Sequence, residues 1–152
     1  MAKRKIITDK DPTLRQTSRP VERGTPRIQQ LLDDMLETMR AADGVGLAAP
    51  QVGVLRRAVV VDVDEGFFEM VNPVIVASGG AQRGYEGCLS VRGRRGIVTR
   101  PLTVTVRYFD RNGKPHERKA EGFFARAVCH ELDHLDGILY IDRAERVERE
   151  TD

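Results

Sequence analysis

Apolar positions along this chain follow two periods. Between residues 26 and 42, Ile28, Leu31, Leu32, Met35, Leu36 and Met39 recur at i, i+3, i+4, i+7, i+8 and i+11, one face of an α-helix. Thr25-Pro26 supplies an N-cap followed by proline at the first helical position, and Gly44 stands near the C-terminal stop. After a loop of small residues through Gln51, the pattern turns to strands over 57–63, 68–76, a stretch approaching Cys88, 97–99 and 102–109. Asp110-Arg111-Asn112-Gly113 provides turn chemistry, and 114–121 returns as a partner strand. A second helix is predicted from about 122 to about 137. Its Phe124, Val128, Leu132 and Leu135 share a core-facing stripe, while Phe123, Ala127, His130 and His134 lie on another that would line a pocket floor. The result is an α+β fold of antiparallel β-sheets around a central helix, with an N-terminal amphipathic helix.

A length of 152 residues fits one domain spanning 1–152, with one core. Apolar residues make up 40% and charged residues 32%, ordinary for a soluble protein. A net charge of +2 is too small to argue for nucleic acid. Arg92, Arg94, Arg95 and Arg100 form the one dense basic cluster, which reads as a solvated strand face. No apolar run approaches the ~20 residues of a membrane span. Residues 1–10 are basic without an apolar core, so nothing suggests secretion, and the cytoplasm is the expected compartment. The two cysteines, Cys88 and Cys129, are expected to stay reduced there.

The chemistry concentrates in His130-Glu131-Leu132-Asp133-His134. Histidines at i and i+4 share a helix face and can bind one divalent metal, while the glutamate between them can reach a water at that metal as general base. A third ligand is needed. The metzincin pattern would put histidine where Tyr140 stands, and the glutamates after His134 (Glu145, Glu148, Glu150) lie in a short polar tail with little room for another packed helix. Upstream, Cys88 and His116 remain. His116 reads as an exposed residue beginning a hairpin strand, which leaves Cys88, inside Glu86-Gly87-Cys88-Leu89-Ser90, as the preferred third ligand.

EGCLS with HExxH, together with Gly44-Val45-Gly46-Leu47-Ala48-Ala49-Pro50-Gln51, resembles the GxGxAAxQ, EGCLS and HExxH motifs of the peptide deformylase family, in order and at its usual spacings. The similarity runs from about Lys5 to Arg143. The resemblance implies hydrolysis of the N-formyl group from the initiator methionine of nascent proteins, releasing formate. It implies one divalent ion held by Cys88, His130 and His134, with Fe²⁺ the physiological ion and Zn²⁺, Ni²⁺ or Co²⁺ able to replace it. Glu131 would move the proton. Gln51, through its side-chain amide, and Leu89, through its backbone N–H, would stabilise the developing oxyanion. Val45, Gly46, Gly87 and Leu89 would contact an extended substrate, and Val45, Phe123, Ala127 and the His130 ring would receive its methionine side chain.

N-formylmethionyl peptides of nascent chains are thus the implied partner, with the ribosome as a second, and neither membrane nor direct nucleic-acid binding is expected. The chain departs from the family at Cys129, where glutamine is common, at Arg92, where proline is common, and in the short segment after Asp142. The rival readings are a zinc endopeptidase of HExxH type and a non-catalytic relative that binds formyl-peptides or ribosomes.

Overall fold

The computed structural model describes residues 2–150. Helix α1 spans Pro26–Ala41, with the Thr25 hydroxyl accepting from the Ile28 backbone N–H. Strands follow as β1 (Gly46–Ala48), β2 (Ala58–Val63), β3 (Gly66–Gly79), β4 (Gln82–Cys88), β5 (Val91–Arg100), β6 (Thr103–Phe109) and β7 (Pro115–Glu121). Helix α2 then runs Phe123–Leu135, a short α3 covers Tyr140–Arg143, and β8 covers Arg146–Arg149. The strands form a five-stranded sheet in the order β1-β2-β3-β6-β7 and a three-stranded sheet in the order β4-β5-β8. All pairings within both sheets are antiparallel.

The larger sheet lies between the two main helices, which explains why β2 reads as an unbroken apolar run. Val59 and Val61 pack with Met70, Val104, Val106 and Ala120 against Phe124, Val128, Leu132 and Leu135 of α2. Ala58 and Val60, pointing the other way, pack with Val71 against Ile28, Leu31, Leu32, Met35 and Met39 of α1. The small sheet has its own cluster of Leu14, Val91, Val98, Leu139 and Tyr140.

Both helices and the main strands match the expected pattern. The small residues before Gln51, expected as a loop, instead form β1 and a 3₁₀ turn over Ala49–Val52. The strand expected over 97–99 is part of the longer β5, because pairing with both β4 and β8 satisfies its backbone. The tail after His134 is not merely polar. Tyr140 packs into the small cluster within α3, and Val147 pairs with Gly96 in β8. The left-handed residue that stops α1 is Asp43, at φ 56°, while the Gly44 N–H closes on the Met39 carbonyl. Among the described residues no helix is long and apolar enough to cross a membrane.

Gly137 ends α2 in a Schellman motif, its N–H bonding to the His134 carbonyl and that of Ile138 to the Asp133 carbonyl. It sits at φ 75°, and a Cβ there would lie 2.5 Å from the Arg15 carbonyl oxygen. Strain and backbone collision act together, so Gly137→Ala should cost at least ~2 kcal/mol. Thermal unfolding should then fall by roughly 4–8 °C, and an unchanged melting temperature would contradict this account of the turn.

Candidate active site

The site forms where β4 crosses α2. Side chains two apart on a strand share a face, about 6.6 Å apart, and side chains four apart on a helix share a face, about 6 Å apart. Glu86 and Cys88 on β4 therefore meet His130 and His134 on α2 as two matched pairs. Glu86 Oε1 lies 2.9 Å from His130 Nδ1, and Cys88 Sγ lies 3.3 Å from His134 Nε2. The potential ligand atoms of Cys88, His130 and His134 all fall within 4.8 Å of one another. The structure thus brings together the three residues expected as ligands. His116 stays remote, hydrogen-bonded to Asp110 at 2.8 Å and stacked on Tyr108. Cys129 is buried and Cys88 half-buried, and both are free thiols.

Glu86 sets the chemistry of His130. Burial opposes its ionisation, but hydrogen bonds from His130 and Arg100 overcome this and hold its carboxyl at about 2. An ionised carboxylate only accepts, so His130 Nδ1 carries the proton and Nε2 presents its lone pair. Arg100 grips Glu86 through two bonds of 2.9 Å and reaches Asp133 at 2.6 Å. This corrects the reading of the arginine cluster. Arg100 is only 4% exposed and faces inward, because the alternation of β5 turns it toward α2. Arg94 and Arg95 are half-exposed and pair with Asp9 and Glu148.

Glu131 lies a residue further round α2 and reaches the β1 edge. It is buried, and its Oε1 has no partner. Burial pushes its carboxyl up to about 7. Gly46 makes the space for it, since a Cβ at that position would sit 2.5 Å from Glu131 Oε2. The Gln51 side chain is orientated by its neighbours. The Ala48 backbone N–H must donate to Oε1, at 2.9 Å, so Nε2 points to Ser90 Oγ at 3.1 Å and Cys88 Sγ at 3.6 Å.

These groups border a cleft of about 340 Å³, whose lining includes Val45, Gly46, Gln51, Gly87, Leu89, Phe123, Ala127, His130 and Glu131. Val45 is 47% and Phe123 58% exposed, so two large apolar side chains stand uncovered at its mouth. A Cβ on Gly87 would meet only the Arg94 carbonyl, at 3.8 Å, so no protein group fills the space beside this strand. His134 does not line the cleft, contrary to expectation. It is wholly buried beneath, because the next turn of α2 passes under β4.

The donor set fits a divalent cation. One thiol and two imidazoles converge beside a carboxylate with an unpartnered oxygen. Burial works against a charge on His130, yet Cys88, Glu86 and Glu131 raise its pKa well above the usual range. Burial and the charge on His130 together press His134 well below. Three candidate ligands, an adjacent buried carboxyl and an open cleft are the arrangement expected of a mononuclear metal-dependent hydrolase.

Comparison with known proteins narrows this class. The family profile of polypeptide deformylase matches residues 3–150. A peptide deformylase of Lachnoclostridium phytofermentans is 55% identical over 146 residues, covering 94% of this chain and 90% of its own. One from Alkaliphilus metalliredigens is 54% identical over 143 residues, covering 94% and 97%. Among solved structures, the Thermotoga maritima enzyme superposes with a TM-score of 0.93 at 37% identity, covering 96% of this chain and 100% of that one. The Legionella pneumophila enzyme gives 0.91 at 44% identity, covering 95% and 87%. The chain belongs to the polypeptide deformylase family.

Sequence reasoning missed Glu86, Arg100 and Asp133 as parts of the site. Glu86 stood inside the quoted EGCLS motif, and its two-residue spacing from Cys88 was the available signal. Arg100 and Asp133 carried none, since their pairing joins β5 to α2 across 33 positions.

Gly46→Ala should push the Glu131 carboxylate aside without touching a ligand. Metal content should stay near one per chain while turnover falls at least ~10²-fold, the scale of a misplaced acid/base. Normal turnover in this variant would show that Glu131 need not sit against β1.

Proposed function

We propose that this chain removes the N-formyl group from the initiator methionine of nascent proteins, releasing formate. The observation that carries the reading is the joint placement of Cys88, His130, His134 and the unpartnered Glu131 carboxylate at one apolar-mouthed cleft. It acts as one catalytic domain over 1–152, a reading supported by the family match across 3–150.

Cys88, His130 and His134 hold the ion. A divalent cation held there would supply Lewis acidity for a carbonyl and make a water more acidic. Glu131 takes a proton from that water and passes it to the amine as the carbon–nitrogen bond breaks. A carboxyl pushed up to about 7 suits both halves of this task. The Gln51 Nε2–H and the Leu89 backbone N–H donate to the carbonyl oxygen as its charge grows. Val45, Gly46, Gly87 and Leu89 contact the extended peptide, in the manner of strand addition. Its methionine side chain enters between Val45, Phe123, Ala127 and the His130 ring. The apolar mouth and the open space beside Gly87 support this assignment.

Fe²⁺ is the proposed resident ion, as the resemblance implies, with Zn²⁺, Ni²⁺ or Co²⁺ as substitutes that a thiolate and two imidazoles also suit. The substrate is made in the cytoplasm, the proposed compartment, and the ribosome carrying the nascent chain is the proposed second partner. No membrane or direct nucleic-acid contact is part of this reading.

Glu131→Gln should keep its metal and lose at least ~10²-fold in rate, because the amide cannot take a proton. The parent enzyme should show an acidic limb in kcat/KM as Glu131 protonates. Burial raises its pKa to about 7, and the cation pulls it back, so the limb should fall at or below pH 7. A flat profile down to pH 5, or normal turnover in the Glu131→Gln variant, would remove Glu131 from the mechanism.

Selectivity for formyl over acetyl tests the function itself. A methyl group on the acyl carbon would have to crowd the wall of Gly46, Gln51 and Leu89, and an acetyl carbonyl is less electrophilic. Formyl-Met-Ala-Ser should therefore be cleaved at least ~10²-fold faster than its acetyl twin by kcat/KM, about 2.7 kcal/mol in transition-state binding. Metal analysis of the same protein, purified without air, should find iron. Equal rates on both peptides, or cleavage of internal peptide bonds, would replace this reading with a general amidase or endopeptidase.

A further inference from the structure

Arg126 takes no part in the steps above, yet it is a cation only 7% exposed. It stands one turn before His130 on α2, on the same stripe. Its guanidinium donates to Glu86 Oε2 at 2.7 Å and to the Val98 carbonyl at 3.1 Å, with longer contacts to the carbonyls of Gln82 (3.4 Å) and Gly84 (3.5 Å). Glu86 therefore receives four donors. His130 Nδ1 and an Arg100 nitrogen share Oε1, both at 2.9 Å, while a second Arg100 nitrogen and Arg126 share Oε2. A carboxylate has about four acceptor sites, so all are used and the group cannot turn.

The two arginines reach Glu86 from different elements, Arg100 from β5 and Arg126 from α2. Arg100 is tied to Asp133 on the next turn of α2, and Asp133 is held again by Arg143. Arg126 is tied to backbone carbonyls of β4 and β5. Charge separates them as well, since Asp133 already answers Arg100, while among the described residues Glu86 is the single carboxylate paired with Arg126. Without Arg126, Glu86 would be held from the Arg100 side alone and would be free to follow that guanidinium away from His130.

We propose that Arg126 is a positioning residue for the metal ligand His130, locking the Glu86 carboxylate so that it holds the Nδ1–H tautomer and aims Nε2 at the ion. The proposal rests on the metal centre of the preceding section, but not on which acyl group the enzyme removes.

The test uses the full chain loaded with Co²⁺, whose thiolate charge-transfer and d–d absorption report the ligand field directly. The parent protein must bind one Co²⁺ with a thiolate band, and failure at that step would overturn the centre and this inference with it. In Arg126→Met, Co²⁺ affinity by chelator competition should weaken 10–100-fold, the usual effect of losing a group that orients a ligand. The d–d bands should shift, and kcat should fall with KM within about twofold. Arg126→Lys should recover part of the affinity, because an ammonium can still reach Glu86. In a Glu86→Gln background, Arg126→Met should have almost no further effect on affinity. Should Arg126→Met fail to fold, Arg126→Gln, which keeps a donor for the carbonyls and loses the charge, carries the same expectations. An unchanged Co²⁺ affinity and spectrum with a raised KM would make Arg126 a substrate contact on the cleft wall. Lowered thermal stability of the metal-free protein with unchanged affinity would make it structural. Additive losses in the Glu86→Gln background would show that it does not act through Glu86.

Discussion

Everything at this centre depends on one geometric match, between a strand that repeats every two residues and a helix that repeats face-on every four. Across the contact of β4 with α2, the ~6.6 Å step from Glu86 to Cys88 meets the ~6 Å step from His130 to His134. One strand residue thereby hydrogen-bonds one imidazole while Cys88, two positions on, meets the other. Neither pair would form if β4 slid by one position, because every side chain would then change face. Strand β5, itself paired with β8, holds β4 in register up to Glu86, and after an irregularity the pairing resumes at Cys88 opposite Val91.

This match places ionised groups in the protein interior. Glu86 and Arg100 are both nearly fully buried, and Arg126 is little different. Buried ion pairs are tolerable when every donor and acceptor is satisfied, and removing one partner typically costs about 3–5 kcal/mol. The arrangement meets that condition. Glu86 accepts from His130, Arg100 and Arg126, and Asp133 takes the remaining reach of Arg100 together with Arg143. The network serves the chemistry by keeping His130 in one tautomer, and it serves the fold by tying both faces of the cleft to α2.

Helix α2 carries two jobs on two stripes. Phe124, Val128, Leu132 and Leu135 fix it to the five-stranded sheet, whose other face is packed by α1. Because that apolar stripe is fully committed, the helix cannot roll, and its polar stripe is held rigidly against β4 and β1. Glu131 falls between the stripes. Its carboxylate has room only because Gly46 lacks a side chain, and the same burial that leaves its Oε1 unpartnered raises its pKa toward neutrality. Packing, charge and catalytic competence are therefore set by the same few contacts.

By itself, the sequence determined the two main helices, most strands and the full set of candidate ligands. Helix spacing in α1 and α2, the Asp-Arg-Asn-Gly turn and the i, i+4 histidines are local features, and local periodicity carries them without tertiary help. Cys88 was legible through its motif, together with Gln51, Leu89 and the cleft residues Val45, Gly46, Gly87, Phe123 and Ala127. Only the tertiary structure decided that Arg100 turns inward and not to solvent, that His134 lies beneath the cleft, and that Glu86 and Arg126 support His130. It also decided that the tail adds α3 and β8. The physical reason is the same in each case. A buried charge or a short strand is stable only beside a specific partner, and those partners stand tens of positions away, where no window along the chain can see them.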